Sequence, residues 1–138
     1  MGSLVSEQRH YNMSQIRGKD TRPEIKVRKY LFSKGLRFRK NDRRFPGCPD
    51  IVLPKYRTVV FVNGCFWHGH AGCRYFVWPR TNELFWHNKI MTNIERDLRC
   101  TEQIKQSNWR VFTVWECELK PQVAEKTLSD LYSSIVNL

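Results

Sequence analysis

A chain of 138 residues allows one domain of ordinary size with a core of its own and leaves no room for a second. Its composition is globular, 41% hydrophobic and 13% aromatic, and no apolar run approaches the roughly 20 residues of a membrane helix, which excludes a helical membrane protein. The net charge is +11, and thirteen Lys and Arg against four Asp and Glu put +9 of it within residues 1–45.

A basic surface of this kind suits a polyanion, because Lys and Arg that neutralise phosphates release condensed counterions. It suits a solvated face kept for solubility equally well. Nothing at the start of the chain reads as a secretory signal, so the expected address is intracellular. The five cysteines are then thiols or metal ligands rather than a disulfide framework.

Residues 1–22 lack apolar periodicity and read as a basic arm, flexible until it meets a partner. Thr21, Pro23 and Glu24 form a helix start, with Ile25, Tyr30, Leu31 and Phe32 as its buried side and Gly35 as its stop. Three extended pieces follow, "LRFRK", "DIVLP" and "RTVVFV", the last apolar enough to be buried on both faces. An amphipathic helix spans about 82–107, with Leu84, Phe85, Ile90, Met91, Ile94, Leu98 and Ile104 near helical spacing. "WRVFTVW" is a strand and "VAEKTLSDLYSSIVNL" a closing helix. The expectation is a single α/β domain over 23–138 in the order α-β-β-β-α-β-α.

The stretch "NGCFWHGHAGC" concentrates the chemistry. Cys65, His70 and Cys73 lie within nine residues, Cys117 follows 44 residues later, and four N/S ligands suit tetrahedral zinc. Cysteines are also common as small buried hydrophobes. His68 is not needed to complete four ligands, which frees it as a general acid or base; it could equally replace His70 or Cys117 at the metal. Asp50, at the start of a strand, could present a carboxylate to Mg²⁺, although Pro-Asp is an ordinary turn too. Phe66 and Trp67, if the loop is pinned, could stack on bases or wedge between them; otherwise they are core.

Three blocks, "PGCPDIVLPKYRTVVFVNGCFWHGHAGC", "FWHNKIMTNIERD" and "WRVFTVWECEL", together resemble the very-short-patch repair (Vsr) mismatch endonucleases of bacteria, a likeness running from about Asn12 to Lys120. The resemblance implies a restriction-endonuclease-like α/β core with a structural zinc site. It also implies a Mg²⁺-dependent nick 5′ of the thymine in a T:G mismatch. It assigns Asp50 and the Val62 main-chain carbonyl to Mg²⁺, His68, Asp97 and Glu24 to catalysis, and Cys65, His70, Cys73 and Cys117 to Zn²⁺. Phe66, Trp67 and Trp86 correspond to an aromatic wedge, Met13 to a contact on the opposite groove side, and Lys89 and Asn93 to positions near the mismatched pair.

Asn63 stands where the family carries a histidine, and no acidic or lysine side chain lies from Arg57 to Cys65, so the E-x-K motif of the wider nuclease superfamily is absent. The implied partners are double-stranded DNA with a T:G mismatch and mismatch-repair proteins, with no membrane, for a monomer in the bacterial cytoplasm at the nucleoid. Two other readings stand beside it: a nicking nuclease of a restriction system with a different DNA substrate, and a zinc-stapled DNA-binding module without activity.

Overall fold

The computed structural model describes residues 20–137, in the expected element order: α1 (Arg22–Ser33), β1 (Arg39–Lys40), β2 (Ile51–Leu53), β3 (Thr58–Asn63), α2 (Glu83–Gln106), β4 (Arg110–Trp115) and α3 (Ala124–Val136). Two short 3₁₀ turns, Pro54–Tyr56 and Glu116–Leu119, are additions that the sequence did not announce. Met13 and nearly all of the basic arm lie outside the described residues.

α1 begins as its sequence dictates. The Thr21 hydroxyl accepts the Glu24 N–H at 3.5 Å, Pro23 sits in the first turn, and Gly35, at φ +88°, takes the left-handed conformation that ends the helix. Its buried side differs from the expected one: it is Glu24, Val27, Arg28 and Leu31, while Phe32 is exposed. Those four have the i, i+3, i+4, i+7 spacing of one helical face, but two of them are charged, so a search for apolar periodicity passes over them.

The sheet has the order β1-β2-β3-β4, antiparallel except between β3 and β4, which run parallel. A parallel pair needs a long crossover, and α2 provides it. Successive side chains point to opposite faces. Ile51, Leu53, Val60, Val62 and Val114 therefore pack with Val27 and Leu31 of α1 and Leu128, Leu131 and Ile135 of α3. Val52 and Val59 pack on the other face against Ile104 of α2. The result is three layers, with helices on both faces of a mixed sheet.

α2 departs from expectation along much of its length. Ile90 and Ile104 are buried, but Leu84 (75% exposed), Leu98 (68% exposed), Phe85 and Met91 are not, and Asn93 and Cys100 take inward positions instead. For Leu84 and Phe85, in the first turn, the reason is length. Twenty-four helical residues extend about 36 Å, whereas the six-residue strands beneath reach about 20 Å. Much of the helix has no sheet to cover. Among the described residues no helix is long and apolar enough to cross a membrane.

Candidate active site

The acidic side of the site is built where β2 starts and β3 ends. The antiparallel register Ile51↔Val60 brings Asp50 alongside the end of β3, where the Val62 N–H donates to Asp50 Oδ2 at 2.6 Å. Glu24, buried in the first turn of α1, is in side-chain contact with Asp50. Burial pushes the Asp50 carboxyl up to about 7; the Val62 N–H pulls it down, the neighbouring Glu24 raises it, and Arg28 lowers it. Two carboxyl groups in contact, Glu24 buried and Asp50 half-buried, with hard oxygen donors and too little positive charge beside them, fit a divalent cation such as Mg²⁺.

His68 stands on a tight loop after β3. His68 N–H donates to Gly64 O at 3.2 Å, Gly69 N–H to Phe66 O at 3.2 Å and His70 N–H to Cys65 O at 3.0 Å. Gly69 presses this loop onto α2: a Cβ there would lie 2.7 Å from Ile94 Cδ1 and 2.8 Å from Ile90 Cγ2, and its φ is +57°. The contact seats His68 Nδ1 2.5 Å from Asp97 Oδ2, on the helix 29 residues later. An ionised Asp97 accepts from Nδ1–H and leaves Nε2 able to take a proton. His68, Asp97, Asp50, Glu24 and Asn63 all line one cleft of about 1010 Å³.

Cys65, His70, Cys73 and Cys117 gather beside this cleft, with their ligand atoms all within 4.8 Å of one another. Bonds of about 2.3 Å to a tetrahedral zinc put sulfurs roughly 3.8 Å apart, so the cluster has the size of such a site. Its hydrogen bonds suit thiolates: Cys117 N–H donates to Cys65 Sγ and Tyr75 N–H to Cys73 Sγ, both at 3.4 Å. Parallel pairing makes the cluster. The register Asn63↔Trp115 sets Cys65 and Cys117 each two residues past the same rung. Burial pushes the Cys65 thiol up to about 12, so a metal has to displace its proton. His70 lies flat on Trp115, and His68 meets the same ring edge-on at 6.4 Å. The two histidines are thus held apart, His70 with the cysteines and His68 with Asp97.

Phe66, Trp67 and Trp86 form one aromatic group, with ring centroids 5.4 to 5.8 Å apart. Trp86, Lys89 and Asn93 share the corresponding face of α2. Asn93 is only 4% exposed; its Nδ2 donates to Trp67 O at 2.9 Å and its Oδ1 accepts from Arg96 at 3.0 Å. Its amide is therefore engaged in holding the Trp67 loop, a task that its sequence position alone does not reveal.

Residues 1–74 match the family model described as DNA mismatch endonuclease Vsr. The chain is 44% identical over 112 residues to the DNA mismatch endonuclease Vsr of Escherichia coli (strain K12), which covers 81% of this chain and 71% of that one. The chain belongs to the Vsr family. It is similar as well to type II nicking enzymes: 49% identical over 117 residues to V.NmeAIP of Neisseria meningitidis, covering 85% of this chain and 83% of the relative, and 49% over 116 residues to V.XorIIP of Xanthomonas oryzae pv. oryzae, covering 84% and 85%.

Seen as a Vsr-family DNA endonuclease, the chain has site residues that the sequence reading missed. Arg22, Arg43 and Arg96 line the cleft alongside its acidic residues and are cations able to meet a phosphate backbone. Trp115 separates the two histidines, and Arg28 sits beside the acidic pair. Trp115 stands two residues before Cys117 in "WRVFTVWECEL". Arg28 was signalled only by its Glu-x-x-x-Arg spacing from Glu24.

Proposed function

We propose that this chain is a Mg²⁺-dependent nickase that hydrolyses the phosphodiester 5′ of the thymine in a T:G mismatch. One observation carries the reading: the His68–Asp97 couple and the Asp50–Glu24 pair line the same cleft, beside the aromatic group. That pairing of a base with a hard-cation site suits phosphodiester hydrolysis and exceeds what a passive DNA-binding module needs. Asp50 and the Val62 carbonyl would hold the cation, which supplies Lewis acidity and charge neutralisation at the scissile phosphate. His68 takes a proton from the attacking water through Nε2 while Asp97 steadies the imidazolium, and Glu24 orients metal-side water.

Zn²⁺ on Cys65, His70, Cys73 and Cys117 is structural in this reading; it fixes the loop on which His68, Phe66 and Trp67 ride. Phe66, Trp67 and Trp86 pry at the weakly stacked wobble pair, Lys89 and Asn93 stand near it, and Met13 reaches it from the other groove. The mixed sheet with helices on both faces supports a restriction-endonuclease-like core, and the arm proposed over 1–22 gives up Arg22 to the first turn of α1. A lesion without two-fold symmetry suits a monomer.

The relatives named type II nicking enzymes favour a second reading, in which the same chemistry serves a restriction system. One assay tests both: nicking of T:G and matched duplexes with randomised flanks, with Mg²⁺ and with EDTA. Mg²⁺-dependent scission confined to T:G duplexes is the expected result; equal cutting of matched duplexes overturns mismatch specificity, and no scission overturns the assignment.

A further inference from the structure

Three charged side chains among the described residues are buried with partners of opposite sign. Glu24 is assigned above, and Asp42 is clipped by Arg44 at 2.9 and 2.7 Å. Arg28 is left. The residue is 8% exposed and lies one turn beyond Glu24, with Nη1 3.6 Å from Glu24 Oε2. Nη2 donates to Asp20 Oδ1 at 2.6 Å, and the Asp20 N–H donates to the same Glu24 Oε2 at 2.9 Å. Lys40 adds a weaker hold on Asp20 at 3.9 Å.

The arrangement is a poor choice for stability alone. Nη1 is shut off from solvent and has no hydrogen-bond partner among the described residues, since 3.6 Å makes an ion pair and not a hydrogen bond. An apolar side chain of similar length would avoid that desolvation and is often neutral or stabilising at such positions. What the guanidinium does supply is an ion pair to one oxygen of Glu24 and a hydrogen bond to Asp20, whose N–H donates to that same oxygen.

We propose that Arg28, braced by Asp20, is a positioning residue that fixes the Glu24 carboxylate against Asp50. The inference rests on the Mg²⁺-dependent reading and adds to it a side chain that touches neither DNA nor the reacting atoms. Charge gives it a distinctive signature. A guanidinium beside a cation site repels the cation, so Arg28→Met leaves the half-saturating Mg²⁺ concentration unchanged or lower, while a slack Glu24 lowers the maximal rate. A side chain serving only to hold α1 in place would, on removal, raise the Mg²⁺ requirement and lower the melting temperature together.

The test is a double-mutant cycle on the full chain, with single-turnover nicking of a T:G duplex followed across a Mg²⁺ titration. Arg28→Met is expected to lower the maximal rate about ten-fold or more, as a misplaced catalytic group does. Its Mg²⁺ midpoint does not rise, and the Arg28→Met/Glu24→Gln pair is no slower than the slower single variant. Rate losses that multiply in the pair, a raised Mg²⁺ midpoint, or a wild-type rate in Arg28→Met overturn the assignment. Arg28→Lys keeps the charge without the planar fork, is expected to be intermediate, and carries the same cycle if Arg28→Met does not fold. Failure of the underlying function shows instead in the wild type, as scission that persists in EDTA or is absent from T:G duplexes.

Discussion

His70 and Trp115 lie flat against each other, ring centroids 3.9 Å apart and 2° from parallel, at the end of the parallel β3–β4 pair. This contact ties the proposed zinc ligand to the sheet. Trp115→Ala is expected to cost about 2 kcal/mol, less than the 3–5 kcal/mol typical of a fully buried Trp. It also speeds loss of metal to a chelator. Denaturant titration and a colorimetric zinc assay read both effects; unchanged metal retention would show that the stacking is incidental.

His68 and Asp50 carry the heaviest predictions. His68→Ala should lower nicking by about 10²- to 10⁴-fold, the usual range for a general base, with DNA binding retained. Asp50→Ala should abolish nicking at any Mg²⁺ concentration. Gel-shift and nicking assays on the same T:G duplex separate binding from chemistry. Full activity in either variant would contradict the mechanism.

The Asp50 carboxyl makes stability depend on pH in a defined direction. Its folded value of about 7 lies above the ordinary 3.8, so between the two the folded state holds a proton that the unfolded chain has lost. Without a divalent cation, this group's contribution to stability therefore falls as pH rises from about 4 to about 7, then levels off. Mg²⁺ binding to the folded state restores stability at the upper end. Melting temperatures in EDTA across that range, compared with Asp50→Asn, check the slope, which the variant should flatten.

Gly69 and Gly72 share a left-handed conformation, φ +57° and +72°, but not their surroundings. An added Cβ at Gly72 meets nothing within 4 Å, so Gly72→Ala costs about 1 kcal/mol of backbone strain. At Gly69 the same methyl meets Ile90 and Ile94, and Gly69→Ala adds about 1–3 kcal/mol of overpacking. The displaced loop carries His68 away from Asp97. Nicking should fall far more in Gly69→Ala than in Gly72→Ala, and equal rates would mean that the loop adjusts freely.

The aromatic group makes a prediction about discrimination. Trp86→Ala removes a ring centred 5.4 Å from Phe66 and 5.8 Å from Trp67. Stacking on a base is worth about 1–3 kcal/mol, so preference for T:G over matched duplex should drop by roughly ten-fold. Competition between the two duplexes measures it; an unaltered ratio would assign the rings to the fold instead.

Local sequence determined the elements and the chemical inventory. Thr21 and Gly35 marked the ends of α1, apolar and β-branched runs between turn signals marked the strands, and ligand-type residues announced themselves by kind and spacing, because capping, strand propensity and side-chain chemistry act over a few residues. Tertiary structure decided which of them meet. Cys117 joins Cys65 only through the parallel register of β3 with β4, and His68 finds Asp97 only because Gly69 lets the loop lie on α2. Helical spacing put Leu84 and Leu98 on plausible faces, yet both are exposed because burial depends on what lies opposite: Leu84 sits at the start of α2, and Leu98 lines an open cleft with Phe61 and Thr113 of the sheet. Arg28 was hidden for the converse reason: a charge inside a helix face becomes intelligible only beside the two acids that enclose it.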